Sequence, residues 1–372
     1  MLSRYAHLGV LGGAPLGAVA ANLNFQTPVT QVAHDIYDLH LLLLYITGGI
    51  FVLVFGVMFW AILRHRKSAG HQARHFHENT TVEIIWTVIP FLILVAMALP
   101  ATRLILQQKS SAGAEVTIKV TGYQWKWQYD YLDQNLRYMS HLATPQDAIV
   151  KASARGDNYL LEVDEPLVVP TGSKVRLLLT ANDVIHSWWV PQLGVKQDAI
   201  PGFVRDAWFK IDQPGTYRGQ CAELCGKDHG FMPIVVVAKS PAEYQQWLAD
   251  KQKAAAASQD DPGKVWKLDE LKARGEKVYA QNCVACHQAN GKGIPGAFPA
   301  LDGSKIATGD KAGHIDIVLN GSKKNPAMAA WGKQLSDTDI AAVVTYERNA
   351  WGNSTGDMVQ PKDIQAARGG KA

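Results

Sequence analysis

The apolar positions along the chain fall into three regimes. Leu41 to Leu63 and Ile84 to Thr102 are uncharged apolar runs, each near the roughly 20 residues a helix needs to cross a bilayer. They predict two transmembrane helices, with spans at about 40–63 and 84–106 of a hairpin covering 21–108. Buried core helices would normally keep a polar stripe, and these runs have almost none. From Glu115 to Lys239 short β-type runs such as Val116 to Val120, Lys174 to Thr180 and Ile234 to Val237 alternate with Pro and Gly turns. That pattern predicts an all-β domain at 112–240, a Greek-key sandwich or barrel. Leu136 to Asn158 shows no period and is expected to be a long loop. Helical patterning returns at Leu268 to Ala280, and Ser336 with Asp339 predicts the start of a helix ending near Asn349. A second, all-α domain is therefore expected at 265–352. The segment 241–264, with Ala254 to Ala257 followed by Ser258, Asp260, Asp261 and Pro262, reads as a linker, and 353–372 as a polar, disordered tail.

Length and charge placement extend this picture. A chain of 372 residues is too long for one ordinary domain. Arg64, Arg66, Lys67 and Arg74 lie between the apolar runs, and a short loop rich in such residues stays on the cytoplasmic side. Both termini and everything after Arg103 are then outside, where disulfides and haem attachment are possible. The expected location is a bacterial inner membrane. His65, His71, His75 and His77 share that loop, and a solvated basic loop near lipid headgroups explains them better than a metal site. The first twenty residues carry Arg4, an apolar stretch from Leu8 to Val19 and Ala18-Val19-Ala20. These features match a cleavable signal peptide at 1–20, with a flexible outer tail as the alternative. The formal net charge of +4 argues neither for nor against nucleic acid, and no nucleic-acid partner is expected.

All four cysteines fall in two motifs. The first is Cys221-Ala-Glu223-Leu-Cys225-Gly-Lys-Asp-His229-Gly-Phe-Met232, set between two β-type runs, with His186 upstream in Asn182-Asp-Val-Ile-His-Ser-Trp188. Two thiolates, two imidazoles and a thioether are ligands copper prefers. Thiolates at this separation can bridge two copper ions, each with one imidazole, leaving Met232 and a carbonyl near Glu223 as weak outer ligands. A Cys221–Cys225 disulfide or a zinc site would leave His186, His229 and Met232 without a reason to accompany the pair.

These residues resemble a known family. The run Asn182 to Met232, the aromatic run Gly122-Tyr-Gln-Trp125-Lys-Trp127-Gln-Tyr129-Asp-Tyr131 and the membrane segment Val82-Glu83-Ile-Ile-Trp86-Thr-Val-Ile-Pro90 are similar to subunit II of cytochrome c oxidase. The resemblance implies a cupredoxin-like domain whose dinuclear copper A centre is held by His186, Cys221, Glu223 through its carbonyl, Cys225, His229 and Met232. It further implies a magnesium or manganese ion on the Glu223 carboxylate at the interface with subunit I. Trp125 would be the residue through which electrons reach the copper, whereas Trp127, Tyr129 and Tyr131 read as strand packing. Glu83 would stand at the entrance of a proton pathway into subunit I. Thr80-x-x-Glu83 is also a capping box, and both roles can coexist.

The second motif, Cys283-Val-Ala-Cys286-His287, is the C-x-x-C-H signature of covalent c-haem attachment. No second ligand pair follows at zinc spacing. His287 would supply one axial ligand. Met328 and Met358 are the downstream methionines. Met328, in Asn325-Pro-Ala-Met-Ala-Ala-Trp331, precedes the final helix as in class I cytochromes c, which makes it the expected sixth ligand, and a His/Met pair raises the haem potential. Phe298-Pro299-Ala-Leu301-Asp-Gly303 resembles the segment whose proline carbonyl orients the proximal histidine in that family.

The two resemblances together imply one redox chain: an external donor, such as a cytochrome c or a bc1-type complex, then the haem, then copper A, then subunit I, where oxygen is reduced to water with proton pumping. Subunit III and the lipid bilayer complete the expected partners. A membrane-anchored carrier for a nitric oxide or nitrous oxide reductase is the second hypothesis, disfavoured by the two spans and Glu83. A copper delivery protein is the third, and it would not need haem.

Overall fold

The structure is a computed structural model that describes residues 24–70, 77–145, 148–149, 156–257, 264–325 and 328–369. The expected signal peptide at 1–20 lies outside the described residues, as do His71, Arg74 and His75. Two compact units divide the chain between Leu248 and Ala249.

The first unit opens with two helices, α1 (Gln31–Arg64) and α2 (Thr80–Gln108), long and apolar enough to cross a bilayer. Their apolar side chains, Phe51, Val52, Phe59, Trp86, Phe91 and Leu94 among them, are exposed along most of their length, as a surface covered by lipid would be. Asn79, and not Thr80, caps α2: its side chain accepts from the Val82 N–H, and its own N–H reaches Glu83 Oε1 at 3.3 Å. Asparagine caps at least as well as threonine and stands one residue nearer the loop, so it takes the position.

Ten strands follow: β1 (Val116–Tyr123), β2 (Lys126–Tyr131), β3 (Leu136–Ser140), β4 (Leu167–Pro170), β5 (Lys174–Ala181), β6 (His186–Val190), β7 (Val195–Ala199), β8 (Arg205–Lys210), β9 (Gly215–Cys221) and β10 (Pro233–Lys239). They form two five-stranded sheets, ordered β3-β2-β1-β5-β8 and β4-β10-β9-β6-β7. Inward-facing Ile118, Trp127, Tyr129, Leu177, Trp188 and Phe209 fill the space between them. Trp188 of one sheet stacks on Phe209 of the other, with ring centroids 6.2 Å apart and planes 4° from parallel, a contact worth about 0.5–1.5 kcal/mol beyond its buried area. The root of the hairpin is tied to this sandwich. Thr30 Oγ1 donates to Leu193 O at 2.9 Å, Val29 N–H to Gln192 O at 3.0 Å and Trp208 Nε1–H to Gln107 O at 3.2 Å. The sandwich therefore stands on one side of the plane the helices would span.

Three expectations are corrected. The loop expected from Leu136 opens with β3, which pairs antiparallel with β2, its five residues being too few for a clear period. The expected linker begins as helix α3 (Pro241–Ala257). Tyr244 and Leu248 of α3 are buried and Trp247 packs beside Tyr131 and Tyr138, so α3 starts as part of the β core. The expected disordered tail is folded over its described residues 353–369, as described below.

The second unit is helical: α4 (Leu268–Asn282), α5 (Val284–His287), α6 (Lys305–Thr308), α7 (Lys311–Asn320), α8 (Asp337–Asn349) and α9 (Pro361–Gly369). α4 crosses α8 at Gly275, where an added Cβ would lie 2.1 Å from Ala342 O. Val359 and Ile364 of the tail are fully buried against this core. Single apolar residues in a polar stretch carry no periodic signal, so their burial is set by what they meet in the fold. Arg348, itself buried, donates to Ala307 O, Gly309 O and both oxygens of Asp357.

Hydrogen bonds from Arg348, joined by the Thr355 hydroxyl, outweigh burial and hold Asp357 down to about 2. The pair's stabilisation, on the order of 1 kcal/mol, is present above the ordinary carboxylate value of about 4 and lost as pH falls through about 2. Asp357→Asn is expected to lower the melting temperature of this unit at pH 7 and to converge with the parent near pH 2. Melting curves of the full chain at both pH values check this; a gap of equal size at both would rule the pair out as its source.

Candidate metal centre

His186 begins β6, Cys221 ends β9, and Cys225, His229 and Met232 occupy the loop from β9 to β10. The antiparallel pairing of β6 with β9 sets Trp188 opposite Cys221, which brings His186 to the same end of the sheet as the loop. Cys221 Sγ and Cys225 Sγ are 3.9 Å apart, and no disulfide involves any of the four cysteines. His186 Nδ1 lies 4.0 Å from Cys221 Sγ, His229 Nδ1 3.4 Å from Cys225 Sγ, and Met232 Sδ 3.5 Å from Cys225 Sγ. The Glu223 carbonyl is 3.4 Å from Cys221 Sγ, while the Glu223 side chain is exposed. All six expected residues thus converge, and both sulfurs, His186 and Met232 are buried.

Electrostatics at this site point to a cation. A hydrogen bond donated by the Cys225 thiol holds Cys221 down to about 3, and that same bond, with burial, pushes Cys225 well above the ordinary thiol range. Two buried sulfurs this close do not both ionise unless positive charge arrives with them. Burial works against protonation of His186, but hydrogen bonds to Asp183 and Cys221 outweigh it and raise its pKa. The soft donor set fits copper, alone or as a pair, better than a hard cation.

Three neighbours that the sequence did not single out shape the site. Asp183 Oδ1 lies 2.8 Å from His186 Nε2. Because a carboxylate only accepts, Nε2 carries a proton, which leaves Nδ1, on the sulfur side, as the nitrogen that a metal would bind. Asp183 Oδ2 accepts the Gln124 backbone N–H at 2.8 Å. Gln124 Nε2 and the indole N–H of Trp125 both donate to Cys225 O, at 2.8 and 3.2 Å. Trp125 is half-buried with its ring against the loop, whereas Trp127, Tyr129 and Tyr131 are buried in the core. Gly122 is the third: a Cβ there would stand 2.8 Å from His186 Cδ2. No single-residue signal marks Asp183 or Gly122, since their importance arises only where β1, β6 and the loop meet.

In the helical unit, Cys283 caps α4, and Cys286 and His287 lie on α5. His287 is buried, and its Nδ1 is 2.9 Å from Pro299 O, so Nδ1 carries the proton and Nε2 is left as the ligand atom. Two thiols and an oriented imidazole on consecutive turns fit a covalently attached haem. Met328 is half-buried on the strap between α7 and α8. Glu83 lies in the first turn of α2, beside Thr80, Ile84 and Thr87 in a shallow surface depression. Glu83 precedes Gln107 by 24 positions of helix, about 36 Å, so it stands at the far end of α2 from the tie between Gln107 and the sandwich.

The fold and site define a class: a β-sandwich with a soft-donor loop, rooted in a two-helix membrane hairpin and continued into a C-x-x-C-H helical unit. Comparisons with known proteins agree with each part. Residues 116–239 match the model of the cytochrome c oxidase subunit II periplasmic domain, 18–104 its transmembrane domain, and 270–346 the cytochrome c oxidase cbb3-type subunit III model. The chain is 39% identical to "Probable cytochrome c oxidase subunit 2" of Rickettsia prowazekii over 64% of its own length and 74% of the relative's. It is 37% identical to "Cytochrome c oxidase subunit 2" of Cereibacter sphaeroides over 60% and 78%. A solved periplasmic domain of cytochrome oxidase subunit II from Bradyrhizobium japonicum is 40% identical, covering 39% of this chain and 99% of that one at a TM-score of 0.35. The chain belongs to the cytochrome c oxidase subunit II family, a component of an oxidoreductase complex.

Gly122→Ala and Asp183→Asn are each expected to weaken metal binding about 10–100-fold, the first by displacing the His186 ring and the second by releasing it. Competition with a copper chelator measures the change. Retention of parental affinity in both variants would show that the ring does not need these contacts.

Proposed function

We propose that this chain is the electron-accepting subunit of a respiratory haem-copper oxidase. It holds a dinuclear copper A centre on His186, Cys221, the Glu223 carbonyl, Cys225, His229 and Met232, and one c-haem on Cys283, Cys286, His287 and Met328. Electrons received from a donor of the cytochrome c or bc1-type class are delivered to subunit I, which reduces oxygen to water with proton translocation. The observation that carries this proposal is the convergence of two sulfurs, two imidazole nitrogens, a thioether and a carbonyl at one buried end of the sandwich.

When bound, the metals supply one-electron oxidation and reduction. The protein's part is positioning. Asp183 fixes the His186 tautomer, Pro299 fixes that of His287, and Trp125 offers an indole bonded to the loop carbonyl as the route inward from the surface. The Glu223 side chain, exposed beside the loop, is available for a magnesium or manganese ion at the contact with subunit I. Glu83 at the opposite end of α2 suits uptake of protons from the cytoplasmic side. Subunit III and membrane lipid are further partners, in a bacterial inner membrane with both termini and both redox units on the periplasmic side.

Purification of the full chain from native membranes tests this proposal. The expected result is copurification with an oxidase subunit I, two coppers sharing one unpaired electron, and one low-spin c-haem. Cys221→Ser or Cys225→Ser is expected to abolish the shared-electron spectrum, and Met328→His to lower the haem potential. A nitric oxide or nitrous oxide reductase as companion, or zinc in place of copper, would overturn it.

A further inference from the structure

Residues 328–336, the strap that carries Met328 from α7 to α8, contain no helix or strand. On its upstream side the strap is tied to α7 and the turn after it. Ser322 N–H donates to Met328 O, Met328 N–H to Asn325 O, Trp331 N–H to Val318 O and Gly332 N–H to Leu319 O, each at 3.0 Å. On its downstream side the strap is held by Arg368, a residue of the C-terminal α9. One guanidinium nitrogen donates to Gly332 O and another to Leu335 O at 3.1 Å, while Nε donates to Asp337 Oδ1 at 2.6 Å, on the first residue of α8. A single planar fork thus ties two strap carbonyls to the start of the next helix. The fork is itself fixed in place, because Pro361 and Ile364 of α9 are buried in the core.

We infer that Arg368 is a positioning residue for Met328, setting how firmly the methionine is presented to the haem iron. This rests on the assignment of Met328 as axial ligand made above. A thioether is a neutral, weak ligand, so its share of the sixth position depends on how little its strap must be ordered to make the bond. Loss of the fork releases the Gly332 and Leu335 carbonyls, and the strap then leaves the iron more often. The C-terminal helix therefore serves haem ligation and, through it, the potential at which the unit passes electrons.

The test uses the full chain, matured with haem and purified in detergent. Exogenous imidazole competes with Met328 for the ferric iron, and the near-infrared band of methionine-ligated haem reports the outcome. Arg368→Ala is expected to bind imidazole about tenfold more tightly than the parent, the size expected for loss of charged hydrogen bonds, and to show a lowered haem potential. Arg368→Lys, which keeps the charge and loses the fork, is expected to fall between the two and remains informative if the alanine variant does not fold. Ile364→Val removes one methyl group from the same helix without touching the strap; it is expected to lower the melting temperature and leave imidazole affinity within about twofold of the parent. Parental imidazole affinity in Arg368→Ala or Arg368→Lys would overturn the inference, as would an equal rise in Ile364→Val. Absence of the methionine band in the parent protein would instead overturn the assignment of Met328, and the inference with it.

Discussion

Trp188 on β6 sits opposite Cys221 on β9, and this one register decides where the His186 imidazole lies relative to the two thiols. A slip of a single residue would turn His186 to the other face of the sheet and Trp188 out of the core. The register is held by the buried aromatic layer between the sheets, in which Trp188 stacks on Phe209. The metal site therefore draws its precision from the hydrophobic core beneath it. The loop residues Cys225, His229 and Met232 need only span the short gap between β9 and β10.

Above that core, a few polar contacts finish the geometry. The Cys225 carbonyl accepts from both Gln124 and Trp125, and Asp183 joins the Gln124 backbone to the His186 ring. Each such hydrogen bond contributes only about 1 kcal/mol net, so their worth lies in orientation. They join the tip of the β1–β2 turn, the start of β6 and the sulfur loop into one body. A redox site needs this rigidity, because bonds that hardly change on reduction leave little to reorganise.

The helical unit achieves the same end by a different route. His287 and the two cysteines are held by contiguous helix, and Pro299 sets the ring. Residues 328–336, which carry Met328, form no helix or strand. Two arginines perform in this unit the work that a strand would do elsewhere: Arg348 gathers the chain at Ala307 and Gly309, and Arg368 gathers the strap at Gly332 and Leu335. Carbonyls without a regular partner suit guanidinium groups, which offer several donors at fixed angles.

By itself the sequence determined most of the elements and marked the two cysteine motifs. Uncharged runs gave the two membrane helices, alternation gave the strands, and the cysteine spacings gave the sulfur loop and the haem motif, because each depends on residues close together along the chain. Tertiary structure alone decided the rest. It made Asp183, Gln124 and Gly122 neighbours of the metal loop, although Gly122 precedes Cys221 by a long stretch of chain and no periodicity links them. It turned the first part of the expected linker into a helix sealed onto the β core through Tyr244 and Trp247, and the polar tail into a clamp through Val359, Ile364 and Arg368. In the tail the apolar residues are too sparse to signal burial on their own, whereas in the helix after β10 Tyr244, Trp247 and Leu248 stand at helical spacing; in both, only the surfaces met in the folded chain make burial favourable.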